Sequence, residues 1–400
     1  MRLESKESWL RLGRPWTWGL DVSTLYDCAR LAGVSTATVS RVLHGHDRVS
    51  ATTRARVLEV IQQLGYVPDG AAQSLSRRRK QVIGLVSVDR ASDPIALESS
   101  SLLFADEVLH GVEATLRAKD WSLLISFCGE GDPRAFERLY SMSGKVDGLI
   151  VSEGIVGSEQ LVRLAAKVPV VVVAGSRHGA STDVVTADNY AGSTALTRHL
   201  VELHGIRSFH YVDGPSSAPN ALERRSAFEN VIAKHKEVEL VSTSRGTFSV
   251  ESGRRAVEAM LKEQPPRMPE AIVCANDHMA IGAIQALAGH ALAVPEDVAV
   301  VGFDDIYPGS LLDPPLTTVR QPTRSLGERA CARLLERVND PALPSVIEVL
   351  PTELLVRVSC GCGEVRRGAR GPARMSAQHR RTVSGSRRSG SSKPRRTAGS

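Results

Sequence analysis

Between Thr24 and Leu64 the apolar residues recur at helical spacing in three short bursts. Leu25, Cys28, Ala29 and Ala32 share one face, Val39, Val42 and Leu43 a second, and Val57, Val60, Ile61 and Leu64 a third. Polar punctuation separates the bursts. Thr24 followed by Asp27 has the form of a capping pair. Gly33-Val34-Ser35 is a tight turn whose serine can cap the second helix, which runs to about His44 before Gly45-His46-Asp47 breaks it. Ser50 caps the third helix and Gly65 stops it. The pattern predicts three short helices in a domain of roughly 45 residues, small but able to fold.

After Gln81 the rhythm changes. Apolar strands at 82–88, 122–127, 148–152 and 170–174 alternate with helical stretches at 104–119, 133–141 and 158–167. The alternation restarts with helices at 189–204, 221–235, 249–262 and 277–288 between strands at 208–212, 238–242, 271–274 and 298–303. Strands alternating with helices predict a parallel sheet covered on both faces, and two such blocks in series predict two α/β lobes. Such folds bind ligands at the seam, beyond the carboxyl ends of the strands.

The first two helices carry a helix-turn-helix pattern. Ala29 permits a close crossing, Gly33 makes the turn, and Val39 packs the second helix on the first. The second helix then presents Thr36, Ala37, Thr38, Ser40 and Arg41 outward. Hydroxyls meet base edges and phosphates, methyls meet the thymine methyl, and Arg41 can take guanine through two hydrogen bonds. The alternative on spacing alone is a three-helix packing module with a polar face.

Charge favours the first reading. The net charge of +6 hides an uneven distribution. Residues 361–400 carry eleven Lys/Arg against one acid, a net of +10, which leaves −4 for the other 360 residues. Within those, residues 21–80 carry nine Lys/Arg against five acids. A basic N-terminal domain suits a nucleic acid. The Ser/Gly/Arg-rich tail reads as a disordered extension, as do residues 1–21 with Trp9, Trp16 and Trp18.

Other classes find little support. The longest apolar run, Val168 to Ala174, is far below the roughly 20 residues of a membrane span, and no secretory signal opens the chain, so the expected location is cytoplasmic, with the nucleoid. Six cysteines are scattered without a CxxC spacing. Cys360-Gly361-Cys362 is the one close pair, and two ligands alone make a poor zinc site, so no metal is assigned. Gly84-Leu-Val-Ser-Val does not continue as GxGxxG. With no P-loop and no GxSxG elbow, the chain is read as no enzyme and is assigned no cofactor. A soluble small-molecule-binding protein without DNA-linked regulation is the rival reading. It leaves residues 24–76 without a use.

The chain resembles the LacI/GalR family of bacterial transcriptional regulators. TLYDCARLAGVSTATVSRVLHG and VSATTRARVLEVIQQLGYVPDGAAQSL look like that family's headpiece and hinge. VDGLIV, TADNYAGSTALTRHLVELHG, CANDHMAIGAIQAL, VPEDVAVVGFDDI and PPLTTVRQP follow in the family's order, over about residues 22–360. The resemblance implies a helix-turn-helix domain at 22–68, a hinge helix and linker at 69–80, and a two-lobed domain like the periplasmic binding proteins at 81–360, for effector binding and dimerisation. It places Thr36, Ala37, Thr38, Ser40, Arg41 and His44 at the DNA, with Leu75 as a hinge wedge in the minor groove. It places Asp188, Arg224, Asn276 and Asp304 around the effector. The implied protein is a homodimeric, allosteric repressor of a near-palindromic double-stranded operator, controlled by a sugar-like effector. Departures from the pattern include Cys28, His44, Asp69, Leu222, Ala227 and Thr323, together with a long serine-rich segment at 87–104. Several of them lie around the effector site.

Overall fold

A computed structural model of the chain describes residues 23–43, 48–66, 79–89, 101–129, 132–176, 182–263 and 267–363. The N-terminal unit has helices α1 (Leu25–Ala32), α2 (Thr36–Leu43) and α3 (Ala51–Leu64). The capping pair closes reciprocally: Thr24 Oγ1 accepts the Asp27 N–H, and the Thr24 N–H donates to Asp27 Oδ2 at 3.0 Å. Gly33 ends α1 at φ 63° and Gly65 ends α3 at φ 58°, left-handed conformations that glycine adopts without strain. Cys28, Val39 and Val57 are fully buried where the three helices meet. Each such apolar side chain contributes about 1.5–3 kcal/mol.

The rest of the chain forms two lobes. The first carries β1 (Val82–Asp89), α4 (Ser101–Arg117), β2 (Ser122–Gly129), α5 (Ala135–Ser143), β3 (Gly148–Ser152), α6 (Ser158–Ala165), β4 (Val170–Val173) and β5 (Asp183–Ala187). The second carries α7 (Asn189–Arg198), β6 (Ser208–Asp213), α8 (Pro219–Ile232), β7 (Glu239–Arg245), α9 (Val250–Lys262), β8 (Ala271–Cys274), α10 (Asp277–Gly289) and β9 (Ala299–Val301). After a short α11 (Tyr307–Ser310) come β10 (Thr318–Arg320), α12 (Thr323–Asn339), β11 (Ile347–Leu350) and β12 (Glu353–Leu355). One parallel sheet has the order β11-β5-β4-β3-β1-β2 and the other β7-β6-β8-β9. All four residues of β4 and all of β8 are buried, as a doubly covered parallel sheet requires.

The lobes are not simply consecutive in the chain. Helix α12 returns to pack on the first sheet, and β11 pairs with β5 there, while β10 and β12 form an antiparallel ribbon. Two glycines allow the return: a Cβ on Gly111 would lie 2.9 Å from the Glu328 nitrogen, and one on Gly327 3.0 Å from the Val108 carbonyl carbon. A buried ion pair fixes the far end of α12. Arg337 Nε lies 2.5 Å from Asp183 Oδ2, Arg337 Nη2 3.1 Å from Oδ1, and the Val346 N–H donates to Oδ1 at 2.8 Å. Strand β5 and the returning segment lie outside the two-block expectation, because long-range pairing rather than local alternation creates them.

Candidate effector cleft and nucleic-acid interface

Helix α2 buries Val39 and Val42 and leaves Ala37 and Arg41 exposed, with Thr36, Thr38 and Ser40 half-buried beside them. Ser35 Oγ accepts the Thr38 N–H at 3.2 Å and shares a 2.9 Å hydrogen bond with the Thr38 hydroxyl. Ser35 therefore fixes the start of the helix and engages the Thr38 hydroxyl. His44 and Leu75 lie outside the described residues.

Between the lobes is a cleft lined from both sides at the carboxyl ends of strands. Ser152 at the end of β3 faces it from the first lobe, and Asn276 and Asp304 after β8 and β9 face it from the second. Phe104 on α4 and Phe248 after β7 supply aromatic surface.

Arg224 on α8 is the centre of the polar set. It is 2% exposed, and its guanidinium lies over the Phe303 ring, 3.7 Å from the centroid. Nε donates to Asn189 Oδ1 at 3.0 Å, and Nη1 donates to the Ala275 carbonyl at 2.6 Å and lies 3.3 Å from Asp304 Oδ1. Nη2 is buried and has no hydrogen-bond partner among the described residues. Burial lowers the Arg224 pKa, and the facing Asp304 opposes that. Burial raises the Asp304 pKa, and Arg224 and Gln321 oppose that. Gln321 Nε2 donates to Asp304 Oδ1 at 2.6 Å. Asp304 has φ 120° and Asp305 φ 58°, a strained pair of the kind found where a loop serves a site. Asn276 caps α10 through the Met279 N–H, and its Nδ2 donates to the Phe248 carbonyl.

Arg224, Asn276 and Asp304 are thus brought together on the cleft. Asp188 is not among its lining residues. It caps α7, where Oδ1 accepts the Ala191 N–H at 2.8 Å, and its neighbour Asn189 touches Arg224 instead.

The N-terminal unit matches the family model "Bacterial regulatory proteins, lacI family" over residues 24–69, and residues 197–360 match the "Periplasmic binding protein-like domain". The HTH-type transcriptional repressor PurR of Haemophilus influenzae (strain PittEE) is 32% identical over 348 residues, which span 84% of this chain and 98% of that protein. The chain belongs to the LacI family. PurR of Aliivibrio fischeri (strain ATCC 700601 / ES114) is likewise 32% identical over the same shares. Among solved structures, the lac repressor dimer bound to operator and the anti-inducer ONPF superposes with a TM-score of 0.75 at 28% identity, covering 84% of this chain and 98% of that one. The CelR–cellobiose complex superposes with a TM-score of 0.63 at 30% identity, covering 84% and 99%.

As a LacI-family member the chain is a DNA-binding transcriptional repressor, not an enzyme. Among the described residues no helix is long and apolar enough to cross a membrane. Its cleft also contains residues that sequence reasoning did not single out. Gln321 sits inside the PPLTTVRQP motif and orients Asp304 there; Asn189, which follows Asp188 and does not itself line the cleft, orients Arg224. Phe104 and Phe248 carry no polar signature, and only the lobes' arrangement reveals them.

Proposed function

We propose that this repressor binds a near-palindromic operator as a homodimer and that a small, hydroxyl-rich effector in the cleft, sugar-like in chemistry, sets its affinity. Thr36, Ala37, Thr38, Ser40, Arg41 and His44 read the major groove, and Leu75 wedges the central minor groove. The dimer supplies two reader helices and two Leu75 side chains, in keeping with the operator-bound lac repressor dimer as a structural neighbour.

The observation that carries the effector reading is Arg224 Nη2, a buried guanidinium nitrogen on the cleft that lacks an acceptor among the described residues. A ligand oxygen completes it. Asp304 accepts from ligand hydroxyls and Asn276 offers an amide, a set suited to vicinal hydroxyls. Phe104 and Phe248 cover an apolar ring face, and the CelR neighbour holds cellobiose. Asp188 acts at one remove, by capping the helix that carries Asn189. Effector binding shifts the balance between lobe arrangements, and operator affinity changes by the ratio of effector affinities in the two states.

Calorimetric titration with monosaccharides, disaccharides, polyols and nucleosides tests the assignment. One hydroxyl-rich class binds the wild type, and Arg224→Met weakens it by about 2–3 kcal/mol. Binding only by nucleosides, or unchanged binding in Arg224→Met, overturns it.

A further inference from the structure

Helix α7 does not end as an α-helix. After Arg198 its hydrogen bonding changes, and His199–Leu203 form a π-turn. In an α-helix, residues five apart stand about 140° apart around the axis. Bonding from i to i+5 brings them back to one side. His199 and His204 consequently face each other, with ring centroids 4.8 Å apart and Nε2 atoms 3.1 Å apart.

The C-terminal segment brings two cysteines to the same point. A 3₁₀ turn, Val358–Cys360, is followed by Gly361 at φ 92° and Gly363 at φ 91°. That left-handed backbone favours glycine and lets both thiols of Cys-Gly-Cys approach the rings. Cys360 Sγ lies 3.4 Å from His199 Nε2. Cys362 Sγ lies 3.2 Å from His204 Nε2 and 3.6 Å from His199 Nε2. All four ligand atoms lie within 4.8 Å of one another. Among the described residues no other group of three or more such side chains gathers this way.

We propose that His199, His204, Cys360 and Cys362 bind one zinc ion. Tetrahedral zinc with Zn–N near 2.0–2.1 Å and Zn–S near 2.3 Å sets its ligand atoms about 3.3–3.8 Å apart. Four of the six separations among the ligand atoms, 3.1–3.6 Å, lie close to those edges, and all six are within 4.8 Å, a span that small side-chain shifts close around an ion. Two imidazoles and two thiolates suit zinc over magnesium or calcium, which take oxygen.

A buried hydroxyl orients the Cys360 sulfur. Thr317 Oγ1 accepts the Arg357 N–H at 2.8 Å and lies 3.1 Å from Cys360 Sγ. With a lone pair already used by Arg357, the hydroxyl proton points at sulfur, a partner of the kind that orients metal ligands. Sγ also lies 3.4 Å from the Arg357 carbonyl, the acceptor its proton takes in the metal-free thiol.

The set is closed. Four protein ligands leave no position for substrate, so the ion is structural. It ties α7 to a segment some 160 residues later in the chain, within the second lobe. The same helix carries Asn189, the partner of Arg224, at its other end. Zinc therefore anchors the distal end of the helix that positions the cleft arginine.

The test uses untagged full-length protein, loaded with zinc chloride, passed over a desalting column with a weak chelator, and assayed by mass spectrometry of the metal. One zinc per chain is expected for the wild type and none above background for the double variant His204→Ala/Cys362→Ser. Thr317→Val is expected to weaken zinc binding about tenfold. Cobalt(II) loading of the wild type is a second readout that needs no variant to fold. It should give the intense visible bands of a tetrahedral site and a sulfur-to-cobalt charge-transfer band in the near ultraviolet. Substoichiometric zinc in the wild type, cobalt spectra without thiolate charge transfer, or wild-type zinc content in the folded double variant would each overturn the proposal.

Discussion

Nη1 of Arg224 lies 3.3 Å from Oδ1 of Asp304, with the arginine side chain 3% exposed and the aspartate 18%. The two partners respond differently to losing each other. An arginine does not shed its charge, so Asp304→Leu leaves a buried cation, at a cost of about 3–5 kcal/mol. The Asp304 carboxyl is already pushed above the usual range by burial, so its charge is the less costly of the two to relieve when Arg224 is replaced by Met. Thermal unfolding of the ligand-free protein at neutral pH should rank wild type above Arg224→Met, and Arg224→Met above Asp304→Leu. Equal losses would mean that the pair is not desolvated as described.

Asp183 is fully buried between Arg337 and Arg333. Burial alone raises its pKa, but hydrogen bonds from Arg337 and Val346 and the nearby Arg333 charge outweigh that and leave it lowered. Asp183→Ala takes from Arg337 the carboxylate it holds through two hydrogen bonds, and leaves Arg333 to Glu336, at the point where α12 and β11 rejoin the first sheet. The expected loss is about 3–5 kcal/mol in denaturant unfolding. The folded carboxylate holds its proton less tightly than the unfolded one. Its contribution is therefore present above the ordinary carboxylate pKa and is lost as pH falls below it.

Much of this architecture is legible in the chain. Helix caps at Thr24, Ser50 and Gly65 are local and readable, and so is the alternation from Val82 to Val301. The matched motifs single out Arg224, Asn276 and Asp304, which the fold brings together on one cleft. The rest is not local. Nothing in DVVTA distinguishes β5 from a loop until β4 and β11 pair with it. Asp188, placed at the effector by its matched motif, caps its own helix and is not among the residues that line the cleft. Cys360 and Cys362 look like an incomplete metal pair because the π-turn that aligns His199 with His204 breaks the expected α-helical period.

Buried histidines and a buried acid give opposing pH effects. Burial depresses His210 to about 4 and His278 to about 3, from an ordinary value near 6.5. Both stabilise the fold above pH 6.5, and that stability is lost as pH falls through the folded values. Burial, with Asp304 nearby, raises Asp277 from 3.8 to about 7. Its contribution is full below 3.8 and is lost as pH rises to about 7. Each tenfold change in proton affinity is worth about 1.4 kcal/mol. Urea midpoints from pH 8 to pH 5 should fall more steeply in Asp277→Asn than in wild type, and less steeply in His210→Gln. The opposite ordering would contradict the burial of these groups.

Arg41 and Ala37 are the exposed residues among the five on α2. Arg41→Ala should weaken operator binding by about 1–3 kcal/mol and relax preference at one base pair in each half-site. Ala37→Glu should weaken binding to any DNA, because it sets a carboxylate against the groove. Unfolding midpoints of both variants should match wild type, and a matching loss of stability would instead assign these side chains to headpiece packing.

The most direct test of an effector-controlled repressor is operator affinity measured by fluorescence anisotropy. The DNA is the region upstream of the chain's own gene, with and without each compound that binds the cleft. Wild type should bind at moderate salt, and one effector should change that affinity. Arg224→Met should keep the DNA binding and lose the response. Specific operator binding that no cleft ligand alters, or no operator binding in any condition, would contradict the account.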